Sequence, residues 1–511
     1  MITEADALRA RIRELERAAR PLEPGASRRR ELRDAATGSS ERFLRRIGSS
    51  KAYEDVADPG LGLLDSPISE RGIPLAEAIA LFEREVVRPG GSPASAGYLA
   101  YIPGGGLYHS AIGDFLAAVS DKYAGVFFAG PGAVRLENQL LRWTADLVGY
   151  PAGAAGNIAS GGSIANLAAV VTARDAHGLR GADYARAVVY LSSQAHHSLP
   201  KALRIAGMAE AQARVIPVDE RYRMRADALA AAIASDRAAG LRPWLILAAA
   251  GSTDTGAVDP LAALADVARR EGCWLHVDAA YGGFFLLTEH GRSLMRGIER
   301  ADSVVLDPHK GLFLPYGAGM VLVRAGHLLA ASHSYTGHYM QDARRVGDAA
   351  PERSRPEAAR PDQQAPEHAR GELSPAEVSP ELSKHFRGPR LWLPLKLLGV
   401  APFRAALEEK LLLARCFHAE VATLGFEVGP APDLSVVTYR WAPPGVSREQ
   451  ANRLNQAIVE GVRRDGRVFI SSTMLDGRFT LRLAVLAFRS HLRIIDLTLR
   501  ILREQAAALG T

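Results

Sequence analysis

Between residues 187 and 323, short apolar runs alternate with longer alanine-rich stretches. The runs Ala187–Leu191, Ala213–Val218, Trp244–Ala249, Trp274–Val277, Ser303–Leu306 and Met320–Val323 have the length and apolar content of buried strands. The segment Arg225–Ala239 suits a helix, as does Ile164–Ala176 ahead of the first run. Strands alternating with helices predict an α/β domain on a largely parallel sheet. Such sheets gather chemistry at the carboxyl ends of their strands.

The pattern changes on both sides of this region. After Trp392 a smaller α+β unit is predicted, opening with a long apolar helix over Leu393–Thr423. Strands follow at Phe426–Val428 and Ser435–Trp441, then a helix over Arg448–Arg464. The runs Val468–Ser471 and Phe479–Val485 bracket an Asp476-Gly477 turn, a hairpin signal, and a last helix starts at Leu492. At the other end, Leu8, Ile12 and Leu15 recur at helical spacing. A helical arm of this kind cannot bury its own stripe and needs another domain or subunit to cover it. Residues 343–380 are rich in Pro, Ala and charge and read as a disordered or mobile insertion. The chain thus divides into an N-terminal helical arm and segment (1–107), a large α/β domain (108–391) holding that insertion, and a C-terminal α+β domain (392–511).

Composition narrows the class. With 511 residues, 48% hydrophobic and 23% charged, the chain has ample material for cores and is not disordered as a whole. Two distant cysteines, Cys273 and Cys416, exclude a disulfide scaffold and fit a reducing compartment. The net charge of +6 is spread over short runs such as Arg28–Arg30, which suits a solvated surface better than a nucleic-acid site. Residues 1–20 are charged throughout, and no stretch approaches the length of a membrane helix. A cytoplasmic protein without nucleic-acid or membrane partners is expected.

Four motifs fall at the loops where this architecture concentrates chemistry. Asp307-Pro308-His309-Lys310-Gly311 follows the run Ser303–Leu306, so Lys310 stands just past a strand end. Alone, such a lysine is either a surface residue or a buried amine with a task. His276-Val277-Asp278-Ala279-Ala280-Tyr281-Gly282-Gly283 also ends a strand. The small residues after Asp278 suit a flat object packed on the backbone, although a turn-capping Asp would look the same. Ser160-Gly161-Gly162-Ser163-Ile164-Ala165-Asn166 opens a helix whose first N–H groups and dipole can hold phosphate, or it is a plain cap. It matches neither a Walker loop nor a dinucleotide fingerprint. Gln194-Ala195-His196-His197-Ser198 follows the first strand, and His196 is placed either to stack on an aromatic ring or to serve structure alone. Together the four supply a phosphate cradle, a stacking face, a carboxylate and a lysine. These are the needs of pyridoxal 5'-phosphate, and no metal site is expected.

With these motifs the chain resembles the group II pyridoxal-phosphate-dependent amino-acid decarboxylases, which include aromatic-amino-acid, histidine, glutamate and diaminobutyrate decarboxylases. The matching stretches are Ser160–Asn166, Gln194–Gly207, Gly251–Asp259, His276–Gly283, Ala301–Gly311 and Lys384–Trp392, with Arg135–Glu137 and Trp143–Pro151 upstream. The resemblance implies a fold type I protein: a large domain on a mostly parallel seven-stranded sheet, a smaller C-terminal α+β domain and an N-terminal helical arm. It also implies a homodimer active in amino-acid metabolism, converting an L-amino acid to its amine and carbon dioxide through a Schiff base on Lys310. Residue by residue, it implies that Asp278 pairs with the pyridine N–H, Ala280 lies under the ring and His196 over it. Gly162 and Ser163 bind the phosphate, His309 approaches it, and Thr253 lies near the ring substituents. Tyr339, with Tyr335 as its rival, would sit on a loop closing over the neighbouring subunit's site and deliver a proton to Cα.

The sequence departs from the family pattern in places. Gly311 follows the lysine where a bulkier residue is usual, and Gly104, in Tyr101–Gly106, stands where aromatic decarboxylases tend to have Thr. Asp307 replaces a more usual Asn, and the insertion after Tyr339 is long. An altered substrate wall is expected, and no particular amino acid is read from the sequence. The rival readings are an oxygen-consuming aldehyde synthase, a carbon–carbon lyase of the same fold, and an inactive binding protein. Tyr339 favours simple decarboxylation, because related aldehyde synthases carry Phe there.

Overall fold

The computed structural model describes residues 3–57, 59–334 and 372–509. Its central sheet has seven strands: β1 (Ala155–Ala159), β2 (Ala187–Ser192), β3 (Gln212–Ile216), β4 (Arg242–Ala249), β5 (Trp274–Asp278), β6 (Ser303–Leu306) and β7 (Gly319–Val323). Their order is β1-β7-β6-β5-β4-β2-β3. Strands β2 to β6 are mutually parallel, and β7 runs antiparallel to both β1 and β6. The six predicted strands are all present. Strand β1 escapes a hydrophobic scan because Ala-Gly-Asn-Ile-Ala holds one β-branched residue.

Alternation along each strand sends successive side chains to opposite faces. Leu275 and Val277 of β5 pack with Val304 and Leu306 on one face. Trp274 packs on the other, with Leu245, Val305 and the alanines of helix Gly162–Ala176. Those small side chains let the helix lie close to the sheet, with its N-terminus at the carboxyl ends of the strands. Each fully buried aliphatic side chain in these layers contributes about 1.5–3 kcal/mol.

The C-terminal unit is an antiparallel sheet of β8 (Glu427–Val428), β9 (Val436–Arg440), β10 (Ser471–Leu475) and β11 (Arg478–Ala484), in the order β8-β9-β11-β10. Helices Ala401–Thr423, Arg448–Asp465 and Leu492–Ala508 bury Phe417, Ile458 and Leu502 against it. Leu99 and Ala96, from the segment before the large domain, join this core.

Three local expectations are corrected. The predicted helix Leu393–Thr423 is two helices, Gly388–Leu398 and Ala401–Thr423, because Gly399 adopts φ 68° and ends the first. The hairpin around Asp476-Gly477 begins at Ser471, whereas Phe469 instead bridges in parallel to Tyr98. Most of the predicted insertion 343–380 lies outside the described residues, but residues 372–380 are packed. Val378 is buried in the core, and Ser374 accepts a hydrogen bond from the Phe127 amide at 3.0 Å.

The arm folds as helices Glu4–Ala19 and Ala26–Arg46, the first opened by a reciprocal Thr3–Asp6 cap. Neither buries a residue. Leu8, Ile12 and Leu15 stay at least half exposed.

Candidate active site

A cavity of about 370 Å³ opens at the carboxyl ends of the central strands, beside the start of helix Gly162–Ala176. Gly162, Ser163, His196, Thr253, Asp278, Ala280, His309 and Lys310 all line it, so eight residues from five separate chain segments converge. Tyr339 and Tyr335 lie outside the described residues.

Lys310 sits on the one-turn helix Pro308–Gly311 that directly follows β6. Its Nζ lies 2.9 Å from Asp307 Oδ2, and its side chain keeps 24% of its exposure. Burial alone would depress this ammonium. The Asp307 carboxylate, helped by Asp278, outweighs burial and holds it above the usual lysine value. The turn is tightly supported. Phe313 adopts φ 62°, a backbone conformation that costs energy outside glycine. The segment Tyr101–Gly106 lies directly on it: a Cβ on Gly104 would stand 2.3 Å from His309 O. A Cβ on Gly311 would stand 2.8 Å from the Phe284 Cβ. The two glycines therefore mark close packing of the lysine turn. Neighbouring backbone and the Phe284 side chain fill the space that a larger residue at either position would need.

Asp278 ends β5. Its Oδ1 accepts the Ala280 N–H at 3.1 Å, and its Oδ2 accepts Asn166 Nδ2–H at 3.0 Å. Ala280 follows on the same turn and packs close to Gly162. His196, after β2, contacts Ser198 Oγ through Nδ1 at 2.7 Å. Burial holds the His196 imidazole below its ordinary value, only partly offset by Asp278. His309 donates from Nδ1 to Ala318 O at 2.5 Å, and its Nε2 stands 3.6 Å from Asp307 Oδ2. Burial lowers it too. Thr253 is held through its carbonyl by Arg482, a buried guanidinium reaching across from β11.

The cavity suits the coenzyme expected from the motifs. Gly161 caps helix Gly162–Ala176 without a side-chain acceptor, which leaves first-turn N–H groups for an anion. A Cβ on Gly162 would stand 3.0 Å from Asp307 Oδ2 and 3.3 Å from the Ala280 Cβ, so a side chain would fill the cradle. The buried Asp307 Oδ1 finds no hydrogen-bond partner among the described residues. A lysine amine, an acceptor carboxylate and a phosphate-sized cradle share one enclosed space of the right volume.

Sequence reasoning assigned no role to Asn166, Ser198, His276 or Asp307, though all four stand inside the motifs. Their common signal is position rather than type. Trp274, His276 and Asp278 alternate along β5 and so share the face covered by the helix that carries Asn166.

The family model described as the pyridoxal-dependent decarboxylase conserved domain matches residues 84–353. The chain is 34% identical over 422 residues to aromatic-L-amino-acid decarboxylase of Bacillus atrophaeus, covering 82% of this chain and 83% of that one. It is 29% identical over 425 residues to tryptophan decarboxylase 2 of Oryza sativa subsp. japonica, covering 81% of each. The crystal structure of Oryza sativa TDC with PLP and tryptamine superposes with a TM-score of 0.85 at 25% identity, over 96% of this chain and 99% of that one. An Arabidopsis thaliana phenylacetaldehyde synthase is also similar, at 28% identity over 81% of this chain and 82% of that one. The chain belongs to the pyridoxal-dependent decarboxylases, and it is a pyridoxal-phosphate-dependent amino-acid carboxy-lyase of fold type I.

Proposed function

We propose that this carboxy-lyase acts on an aromatic L-amino acid, as a cytoplasmic homodimer, with Lys310 carrying the coenzyme. The observation that carries the reading is the convergence of Lys310, Asp278, His196 and the Gly162–Ser163 helix start on one cavity. Bound there, pyridoxal phosphate supplies an electron sink for the bond that breaks. Lys310 would offer the amine for its aldehyde, and Asp278, already oriented by two hydrogen bonds, would accept from its ring nitrogen. Gly162 and Ser163 would hold its phosphate through backbone N–H groups, with His309 beside them. His196 and Ala280 would hold its ring, and Thr253 its ring substituents. Tyr339 delivers the proton that replaces the lost carboxylate at Cα.

The aromatic substrate is supported by the relatives named for aromatic amino acids and by an aromatic cluster at the start of the segment Tyr101–Gly106, which packs on the lysine turn through Gly104. Tyr98, Tyr101 and Phe469 pack with ring centroids 5.3–6.5 Å apart. Tyr101 adopts φ 60°, an outlying conformation of the kind that clusters at functional sites. The dimer is supported by exposed apolar side chains that this chain leaves uncovered, on the arm and on helix Tyr108–Ser120. Cytoplasmic residence is supported by two unpaired cysteines. Among the described residues no helix is long and apolar enough to cross a membrane.

The test supplies the coenzyme-loaded protein with the common amino acids and diaminobutyrate, and measures amine, aldehyde and carbon dioxide. Aromatic amines with equimolar carbon dioxide are expected. Preference for an acidic or aliphatic substrate would overturn the aromatic assignment, and aldehyde with peroxide would replace decarboxylation by oxygen-consuming chemistry. Lys310→Ala should lose both turnover and the visible absorbance of the bound coenzyme. Normal turnover in that variant would remove Lys310 from its role.

A further inference from the structure

An unbroken chain of polar groups runs from the sheet interior into the cavity wall, which Asn166, Ser198, His196 and Asp278 line. Trp274 Nε1 donates to Ser303 Oγ at 2.8 Å, and Ser303 Oγ lies 2.8 Å from His276 Nδ1. His276 Nε2 lies 3.0 Å from Asn166 Oδ1. The Asn166 amide nitrogen reaches two acceptors at 3.0 Å, Asp278 Oδ2 and Ser198 Oγ. Ser198 Oγ lies 2.7 Å from His196 Nδ1, which the Ser198 backbone N–H also approaches at 3.2 Å. Asn166, Ser198, His276 and Ser303 are each no more than 2% exposed. The strand pattern places them: His276 and Asp278 share a face of β5, and Ser303 is the register partner of His276 on β6.

The directions of these hydrogen bonds can be worked out from Asp278. Both of its oxygens accept, so Asn166 must turn its NH₂ toward it; reversed, the amide oxygen would face a carboxylate. Both amide hydrogens are then used, on Asp278 and Ser198. Asn166 Oδ1 is left as an acceptor, so His276 carries its proton on Nε2. Burial depresses His276 well below its ordinary value, so the ring is neutral and Nδ1 is bare. Ser303 therefore donates to Nδ1 and accepts from Trp274, which can only donate. At the other end, Ser198 accepts from Asn166, and its hydroxyl hydrogen points to His196 Nδ1. Two donors aimed at Nδ1 exclude a proton there.

We propose that Asn166 is the hub of a hydrogen-bond relay with one direction, which orients Asp278 and fixes the proton of His196 on Nε2. Asn166, Ser198 and His276 are thereby positioning residues for decarboxylation. The proposal rests on the reading of Asp278 and His196 as the groups that flank the coenzyme. It makes the Asp278 carboxylate and the His196 imidazole a coupled pair, joined by Asn166 and Ser198 in the cavity wall. It also gives His196 a donor N–H toward the cavity, since its lone-pair nitrogen is occupied behind.

The experiment records the ring-nitrogen signals of uniformly ¹⁵N-histidine-labelled protein, without and with pyridoxal phosphate, and assigns His196 and His276 by difference from His196→Gln and His276→Gln. Both rings are expected neutral with the proton on Nε2. Ser198→Ala, which leaves only the longer backbone N–H on Nδ1, should raise the share of His196 protonated on Nδ1 and lower kcat about tenfold, the value of one hydrogen bond, with KM changed less than about twofold. Ser198→Thr, which keeps the hydroxyl, should restore both. His276→Gln, whose amide can still donate to Asn166, should retain more of kcat than His276→Leu. A proton on Nδ1 of His196 in the unsubstituted protein, or a Ser198→Ala variant with unchanged tautomer and kcat, would overturn the relay. A protein that takes up no coenzyme would instead end the reading of the cavity, while the nitrogen signals of the coenzyme-free protein would still decide the relay.

Discussion

In the cavity, each group assigned to the coenzyme has a partner from its own chain: Lys310 has Asp307, Asp278 has Asn166 and the Ala280 amide, and His196 has Ser198. In the arm Glu4–Arg46 the situation is reversed. Several of its charged residues pair along the helix, as Arg11 with Glu14 and Arg28 with Glu31, while Leu8, Ile12 and Leu15 stay at least half exposed. Helix Tyr108–Ser120 likewise leaves Phe115, Leu116 and Val119 exposed. One region is paired within the chain; the other leaves apolar surface that the proposed dimer would cover. Polar preorganisation and apolar association are thus separated in space, and substitutions should separate them in effect.

The largest effect is expected from the arm. If the proposed dimer closes over the arm, replacing Leu8, Ile12 and Leu15 together by Ser removes six apolar anchors, three from each subunit. Sedimentation equilibrium should show the dimer dissociation constant raised by at least about a hundredfold, since each buried aliphatic side chain is worth more than 1 kcal/mol. The visible absorbance of the bound coenzyme should persist in the resulting monomer. A monomer that cannot hold the coenzyme would break the comparison, because the cavity would then depend on the partner after all.

A second substitution tests how tightly the chain's own parts fit at the cavity. Gly104→Ala places a Cβ 2.3 Å from His309 O and 3.1 Å from the Phe313 Cα, both backbone atoms of the lysine turn. Something must shift, and overpacking of this kind costs about 1–3 kcal/mol. Thermal unfolding should fall by several degrees, and coenzyme affinity should fall with it. On the arm, Gly25→Ala meets nothing within 4 Å and should move neither. Equal effects at the two positions would deny that the lysine turn is the rigid part.

How much of this was legible beforehand follows from what each signal measures. The inner strands of the central sheet are nearly continuous apolar runs, because a sheet covered on both faces leaves little polar alternation, whereas the edge strand β3 carries Gln212 and Arg214 and leaves Val215 exposed. Strand β1 was invisible because Gly156 and Asn157 interrupt it; its place is set by pairing with β7. The cavity residues were legible because a coenzyme with several distinct functional groups demands several distinct motifs. Asn166 and His276 sat in those motifs without a role, since a buried amide and a buried imidazole acquire meaning only from what faces them across the helix–sheet boundary. Asp307 was noticed as a departure, but its contact with Lys310 depends on the single helical turn that brings position 307 back to 310.

That contact supplies the smallest and most specific prediction. Only a neutral amine attacks an aldehyde, so whatever stabilises the Lys310 ammonium slows coenzyme loading at neutral pH. Burial opposes the charge, and Asp307 at 2.9 Å more than offsets burial. Asp307→Asn keeps the shape, removes the carboxylate and leaves burial less opposed, so the amine deprotonates at lower pH. The rate at which the visible band grows on mixing coenzyme-free protein with pyridoxal phosphate should rise at neutral pH. Its pH profile should move in the acid direction. The linked stability has the opposite sense. A lysine raised above its unfolded value contributes stability that is full below that value and lost as pH rises through the folded one, so the unsubstituted protein keeps the increment until strongly alkaline pH. The variant should lack it, and its unfolding midpoint should lie lower at neutral pH. Loading rates that superimpose at every pH would show that Asp307 does not govern Lys310, and that the self-partnering of the cavity is geometric without being electrostatic.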